Sequence, residues 1–301
     1  MKKGINVLSL FDGMSCGQIA LEKSEIKVNN YYASEIKKHA IKITMEHYPN
    51  TIQIGDVTKV SYKDGILYAQ NGVFEVGKID LLIGGSPCQN FSIASVSQLG
   101  LKGDKSKLFY EYLRILNEVK PTYFLLENVK MKKESENQLN DYLGVKGIHI
   151  NSNLVSFQNR PRIYWTNIPG VTIPEDKHIN FQDYKDTDYY YCKQFKVNRT
   201  PSREKMWNNG NGENRIGSCA NITNANKIYC ITRKQDRSPN SGLIEFEDFC
   251  RYLTRREIEL GQTLPIGYTD NLTYGQMQDL CGDGWTVDVI SHIFNFYKNS
   301  L

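Results

Sequence analysis

No apolar run in the 301-residue chain approaches the ~20 residues that a membrane-spanning helix needs, which excludes that class. Its seven cysteines are odd in number and scattered, with no CxxC pair and no Cys/His cluster at metal-ligand spacing. That excludes a disulfide framework and a structural zinc, and most of the thiols are expected to be reduced and inert. The start, "MKKGINVLSLFDG", has acidic and glycine residues where a signal-peptide cleavage site is needed, so it reads as a first strand and a cytoplasmic protein is expected. Internal repeats and low-complexity tracts are also missing. The net charge of +4 is too small to identify a partner by itself. What is present is ordinary globular material, 40% hydrophobic and 23% charged, long enough for one large domain or for a large and a small one.

Short apolar runs alternate with helical patterns through the first half: "INVLSL", a helix near 17–25, "VNNYYASEI", a helix over 37–47, "TIQIGDV", "IDLLIGG", a helix over 107–118 and "YFLLENV". Runs apolar throughout indicate strands covered on both faces, and the helices between them indicate parallel crossovers. The fold expected is α/β, a doubly wound Rossmann-like sheet with a second, smaller lobe. After about residue 167 the chain becomes polar, basic and irregular until "RYLTRREIELGQTLP". The end, "TVDVISHIFNFY", places Val289, Ile290, Ile293 and Tyr297 at helical spacing, so a last amphipathic helix should pack back onto the sheet.

Charge is uneven along the chain. Lys193 to Arg237 holds ten Lys/Arg and three Asp/Glu, leaving 27 basic and 30 acidic residues elsewhere. That segment is also rich in Asn, Gly, Ser and Thr, the texture of a loop-rich surface that meets phosphates and base edges, or simply of a solvated basic loop.

Ligands of open α/β sheets bind beyond the carboxyl ends of the strands, and three strand ends here carry an acid. "FDGMSCG" follows the first strand, with Gly13 and Gly17 permitting a tight turn into a helix. Glu35 ends the second strand, 18 residues past Gly17, about where a ribose-binding carboxylate sits in dinucleotide folds. Asp56 follows the third. A carboxylate at Asp12 repels a pyrophosphate but suits a ligand with ammonium and sulfonium charges such as S-adenosylmethionine. Glu35 then suits the ribose hydroxyls and Asp56 the adenine amino group. Any single one of these acids also reads as a helix cap or turn former.

The next two apolar runs deliver Cys88 in "GGSPC" and Glu127 in "LLENV", and "QNRPR" places Arg160 and Arg162 two apart, on one face of an extended stretch. A thiol, a carboxyl and an arginine pair suit methylation of cytosine at C5. A thiolate adding at C6 makes C5 an enamine carbon able to attack a methyl electrophile, and a carboxyl kept protonated by burial donates to N3. A base then removes the C5 proton and the thiolate is eliminated. Separately, Cys88 reads as a core cysteine, Glu127 as a capping acid and "QNRPR" as a basic turn.

Together and in this order the motifs resemble those of the cytosine-C5 DNA methyltransferases over nearly the full length, except roughly residues 170–240. "FDGMSCG" resembles that family's cofactor loop, "SPCQNFS" its nucleophile motif, "ENV" its N3-binding motif and "QNRPR" its QxRxR motif. "RYLTRREIELGQTLP" is similar to its late motif, RxLTxxExxxLQGFP, and "CGDGWTVDVI" to the last one, which folds back to complete the cofactor pocket. "FDG", "YYASEI", "IGGSPC" and "GDGWTV" resemble the de novo animal type, whereas "PCQNFS" and "QNRPR" are closer to bacterial and phage enzymes. A bacterial or phage enzyme of DNA methylation, for restriction-modification or phage protection, is expected. "LGQTLP" lacks the usual Gly-Phe before proline, and Asp288 stands where many members have proline.

The resemblance implies Cys88 as nucleophile, Glu127 as N3 partner and Arg160 and Arg162 as the substrate-orienting pair. It implies S-adenosyl-L-methionine as cofactor, held by Phe11, Asp12, Gly13, Met14, Ser15, Cys16, Gly17, Glu35 with Ile36, Asp56 with Val57, and Asp283, Gly284 and Trp285. The loop from Gln89 to Lys107 should close over an extruded base. The partner expected is double-stranded DNA, touched by Gln89, Ser92, Arg199, Arg203, Arg233, Lys234 and Arg237, with a monomer expected and no metal. The corresponding division is 1–168 for catalysis and cofactor, 169–263 for target recognition and 264–301 packing back on the catalytic part. Amino-group DNA methyltransferases need [DNS]PP[YFW], which Ser86-Pro87-Cys88-Gln89 fails. A transfer-RNA cytosine methyltransferase of the same ancestry is a rival whose typical Cys-Phe-Thr signature is missing here, and a silent DNA-binding relative is another.

Overall fold

A computed structural model describes residues 4–86, 107–198, 200–201, 204, 221–236, 240–246 and 248–299. In chain order the elements are β1 (Ile5–Leu10), α1 (Cys16–Lys23), β2 (Val28–Ser34), α2 (Lys38–His47), β3 (Ile52–Gln53), β4 (Ser61–Lys63), β5 (Ile66–Ala69), β6 (Gly72–Glu75), β7 (Leu81–Gly85), α3 (Lys107–Val119), β8 (Tyr123–Val129), α4 (Lys133–Leu143), β9 (Ile148–Asn151) and β10 (Pro161–Thr166). Then follow α5 (Tyr189–Lys193), β11 (Ile244–Phe246), β12 (Phe249–Arg251), α6 (Arg255–Gly261), α7 (Tyr274–Asp283) and α8 (Val287–Asn299).

The chain divides into two compact units, Met1–Ile150 with Pro161–Ile173 and Ile290–Leu301, and Asn151–Arg160 with Pro174–Val289. The change expected near 168 lies close to the division at 173/174. Residues 264–289, expected to pack back with the tail, group instead with the second unit, and so do 151–160. The reason is local bonding: Gln158 donates to the Gly261 carbonyl at 2.9 Å, and Gln262 binds the carbonyl of Cys281 and accepts from Thr286 at 3.0 Å.

The first unit is built on a seven-stranded sheet in the order β3-β2-β1-β7-β8-β10-β9. β1 pairs in parallel with β2 and with β7, and β7 with β8, so the α/β reading of the first half holds. β8 and β10 are antiparallel. The order reverses between β1 and β7, which makes their carboxyl ends the switch point where such sheets bind ligands. β7 is apolar on both faces because both are covered; Leu81, Leu82 and Ile83 are fully buried. In α3, Phe109, Tyr112, Ile115 and Val119 recur at spacings of three and four and are buried, while Arg114 on the outer side bridges Glu111 and Glu118 at 2.6 and 2.7 Å. A side chain at Gly84 would lie 2.9 Å from the Leu10 carbonyl and 3.0 Å from the Tyr112 ring, so glycine sets how closely α3 approaches the sheet.

β4, β5 and β6 form a separate antiparallel sheet of three short strands. Its first hairpin turns at Asp64-Gly65, both with positive φ, the two-residue geometry whose twist suits a hairpin. The final helix meets the expectation for it: Ile290, Ile293, Phe294 and Tyr297 are buried, and the Tyr297 ring meets Tyr123 edge-on at 5.2 Å.

Among its described residues the second unit has one small sheet, β11 with β12, and it is braced by a fully buried ion pair. Arg251 donates to both carboxylate oxygens of Glu257 at 2.7 and 2.8 Å, and to the carbonyls of Tyr252 and Asp186 at 3.0 and 2.9 Å. Glu257 also accepts from the Thr254 amide at 2.8 Å, closing a capping box at the start of α6. The Arg, Thr and Glu of "RYLTRRE" are thus one structural device. Glu257→Ala leaves a buried guanidinium without its counter-charge, and a loss of about 3–5 kcal/mol is expected. Replacing both partners by apolar residues (Arg251→Met with Glu257→Leu) is expected to recover most of it. Urea unfolding of both variants checks this; a single substitution costing no more than the double one would refute the pairing as the brace.

Candidate active site

The turn after β1 is strained. Phe11 and Ser15 have φ of 58° and 57° and Gly13 of 60°, a left-handed conformation that a bulky residue such as Phe adopts only when its surroundings force it. Here the constraints are visible. The Asp12 amide donates to the Ser34 carbonyl at 3.1 Å, tying the turn to the end of β2. Asp12 accepts from the Tyr31 hydroxyl at 2.7 Å and from the Ser15 hydroxyl. Ser15 is held in turn by Gln18 and Thr44, both at 3.2 Å. Burial pushes the Asp12 carboxyl up from 3.8 to about 6; the hydroxyls of Ser15, Ser9 and Tyr31 pull the other way, and Glu35 adds repulsion.

Glu35 is the joint between β2 and this turn. It accepts from the Gly13 amide at 2.8 Å through one oxygen, and from the Ile36 and Lys37 amides at 2.7 and 2.8 Å through the other. Ile36, beside it, is 70% exposed, an apolar surface left open at a strand end. Asp56 does the work of a cap: Oδ1 accepts from the Thr58 amide and hydroxyl, both at 2.9 Å. Its other oxygen has no partner among the described residues. Met14, Cys16 and Val57 are buried.

This donor set fits S-adenosylmethionine. A buried acid lies in the turn, a carboxylate with acceptor capacity stands at the end of β2, an open acid oxygen follows β3, and an apolar side chain is exposed against which a flat base can lie.

At the neighbouring strand ends, Gly85 of β7 is in register with Glu127 of β8. Glu127 is buried as expected, but it is accompanied: Arg162 of β10 reaches its Oε1 at 2.9 Å. Asn128, which sequence reasoning did not single out, is buried and donates to the Ser86 hydroxyl at 3.1 Å. It anchors the residue from which the chain runs on to Cys88. Cys88, Gln89 and Ser92 lie outside the described residues, as do Arg199, Arg203 and Arg237.

Arg160 and Arg162 fall in different units. Arg160 is buried, and its guanidinium donates to the carbonyls of Ile231, Gly282 and Gly284 at 3.0, 2.9 and 2.7 Å. It is a brace of the second unit, aided by Gln158, which accepts from the Ile231 amide at 2.9 Å. The stretch it pins includes Asp283, Gly284 and Trp285. A side chain at Gly282 would lie 2.2 Å from the Arg233 amide nitrogen, so only glycine fits there. Arg233 is paired with Asp279 at 2.5 Å and Asp283 at 3.5 Å, whereas Lys234 is exposed with no partner on its ammonium among the described residues. Asp288 donates its amide to the Thr263 hydroxyl at 2.8 Å, a bond that a proline at this position cannot make. Among the described residues no cluster of three His, Cys, Asp or Glu side chains is arranged to hold a metal, and no helix is long and apolar enough to cross a membrane.

Residues 5–299 match the family described as C-5 cytosine-specific DNA methylase. The chain is 41% identical over 123 residues to the DNA (cytosine-5)-methyltransferase DRM2 of Arabidopsis thaliana, covering 39% of this chain and 19% of that protein. It is 31% identical over 188 residues to the orphan methyltransferase M.Rho11sI of Bacillus phage rho11s, covering 58% and 35%, and 33% identical over 130 residues to the type II methyltransferase M.NlaIV of Neisseria lactamica, covering 42% and 28%. The chain therefore aligns with about a fifth to a third of the length of these relatives. Its fold is similar to the crystal structure of S. pombe Dnmt2 methyltransferase, with a TM-score of 0.71 at 18% identity over 99% of each chain. It is also similar to the Entamoeba histolytica methyltransferase EhMeth, with a TM-score of 0.73 at 17% identity over the whole of both. Matched from residue 5 to residue 299, the chain belongs to the C-5 cytosine-specific DNA methylase family.

Proposed function

We propose that this chain methylates cytosine in DNA at C5, with S-adenosylmethionine as methyl donor and Cys88 as nucleophile. The observation that carries the reading is the Glu127–Arg162 pair at the strand end in register with Gly85, three residues ahead of Cys88 in the chain. The names of the curated relatives and the basic excess between Lys193 and Arg237 support DNA as the substrate.

The Cys88 thiolate adds to C6 of the extruded cytosine, forming a carbon–sulfur bond and leaving C5 as an enamine carbon. Glu127 meets the N3 edge, and the Arg162 guanidinium on its Oε1 fixes how the carboxyl is presented. S-adenosylmethionine, when bound, supplies an electrophilic methyl. Asp12, Glu35, Ile36 and Asp56 hold it, Asp12 by its charge and Glu35 and Asp56 by their remaining acceptor capacity. A base then takes the C5 proton and the electron pair of that bond re-forms the C5–C6 double bond, expelling the thiolate and restoring Cys88.

Cys88→Ala is expected to abolish methyl transfer while cofactor affinity, measured by calorimetry, stays within about twofold, since the thiol is not part of that site. DNA containing 5-fluorocytosine is expected to trap a covalent complex at Cys88, visible by mass spectrometry, because fluorine blocks the elimination. An enzyme that methylates ordinary DNA and never forms this complex would refute the nucleophile.

Asp12 makes cofactor binding pH-dependent. Its carboxyl is raised in the folded protein, so the stability it contributes as a neutral group is complete below its unfolded value of 3.8 and is lost as pH rises through about 6. A cationic ligand favours the ionised form. Affinity for S-adenosylmethionine is therefore expected to rise with pH between about 5 and 7, with proton release on binding, and Asp12→Asn is expected to abolish the dependence. Calorimetry in two buffers of different ionisation enthalpy reads the released proton; no release near pH 6 would place the ligand's positive charge elsewhere.

A further inference from the structure

The stretch "DYYYCKQFK", residues 188–196, crowds aromatic and basic side chains together, and the chemistry proposed above uses none of them. Within the second unit it lines a cavity of about 500 Å³ together with Tyr252, Arg255, Asp270 and Tyr274. Tyr191 and Phe195 meet edge-on with centroids 5.3 Å apart, and Phe195 meets Tyr274 at 5.2 Å. The Tyr274 hydroxyl is anchored on the Leu253 carbonyl at 2.6 Å, so this ring is fixed. Arg255 contributes a flat cationic wall. Its guanidinium is held by the Thr269 carbonyl at 2.5 Å, the Thr269 hydroxyl at 3.1 Å and the Leu272 carbonyl at 2.8 Å. Lys196 is exposed on the lining, and its ammonium has no partner among the described residues. One acid, Asp270, also lines the cavity, so the two cations outnumber it.

Fixed aromatic faces, an immobilised guanidinium plane and an available ammonium select a ligand that is flat, aromatic and anionic. A base paired in a duplex cannot offer its face to such a cavity; an unpaired one can. We propose that this pocket takes an unpaired nucleotide of a single-stranded nucleic-acid segment, its base among Tyr191, Phe195 and Arg255 and its phosphate at Lys196, at a site separate from the one that holds the reacting cytosine. The surface alongside fits a strand continuing past the pocket. Lys193 lies over the Tyr189 ring at 4.9 Å, and Tyr190 is 80% exposed. The proposal rests on the nucleic-acid reading of the protein, but not on the cytosine chemistry.

The test uses the full chain and a fluorescently labelled single-stranded 12-mer without cytosine, which offers the catalytic site no substrate. Fluorescence anisotropy is expected to show binding by the unaltered protein. Phe195→Leu, which removes the ring but keeps apolar bulk, is expected to weaken it about tenfold or more, in line with the worth of one stacked base. Lys196→Glu is expected to weaken it and to flatten its salt dependence by at least one phosphate contact. Methyl transfer to duplex DNA is expected to stay unchanged in Phe195→Leu, whose side chain carries no charge for the duplex. Equal binding of the 12-mer by the unaltered protein and both variants overturns the pocket, and so does binding of adenosine monophosphate as tight as that of the 12-mer, which would make the occupant a free nucleotide. Ring-dependent binding by a protein that never methylates cytosine would count against the methyltransferase reading and leave this one standing.

Discussion

Parallel pairing of β1 with β2 on one side and β7 on the other puts their carboxyl ends along one edge of the sheet, where Asp12 and Glu35 follow their strands and Glu127 stands in register with Gly85. The pairing works only if α3 comes close enough to cover β7, which the missing side chain at Gly84 permits. It also brings the Asp12 turn against Ser34 and Glu35, so the turn and the end of β2 share hydrogen bonds before any ligand is involved. That preorganisation supports the left-handed backbone at Phe11 and Ser15, and a site built this way spends little binding energy on ordering itself.

The same residue type serves two different ends in this protein. Arg162 reaches a carboxylate at the strand edge, whereas Arg160, two positions earlier, spends its donors on three backbone carbonyls. Arg251 likewise looks available in sequence and is committed to Glu257 in the interior. The guanidinium suits all three tasks because its planar fork satisfies several acceptors at once, and the described part of the second unit has many loop carbonyls to satisfy. Arginines and glutamines therefore do in the second unit what sheet hydrogen bonds do in the first.

The strands that carry the site were legible as apolar runs because a strand covered on both faces must be apolar throughout, and the acids after them stood out against those runs. β4 to β6 were not, since strands of three and four residues with half-exposed side chains leave no lasting periodicity; Asp64-Gly65 and Asn71-Gly72 were the available signals. The antiparallel direction of β10 was hidden for another reason: it comes from how the chain returns after 151–160, which no local pattern encodes. In the site, the acids were found but their partners were not. Tyr31 reaches Asp12 only because β2 lies in a particular register against β1, and Asn128 reaches Ser86 through the pairing of β8 with β7. Whether "QNRPR" holds a substrate or braces a fold depends likewise on which carbonyls come near.

The central claim is that the strand-edge constellation methylates cytosine in DNA. Bisulfite sequencing of plasmid DNA recovered from cells expressing the protein tests it most directly. Cytosines protected at a recurring sequence context, and unprotected in cells expressing the Cys88→Ala variant, are the expected result. Plasmid DNA converted throughout, with protection found only in transfer RNA from the same cells, would contradict it.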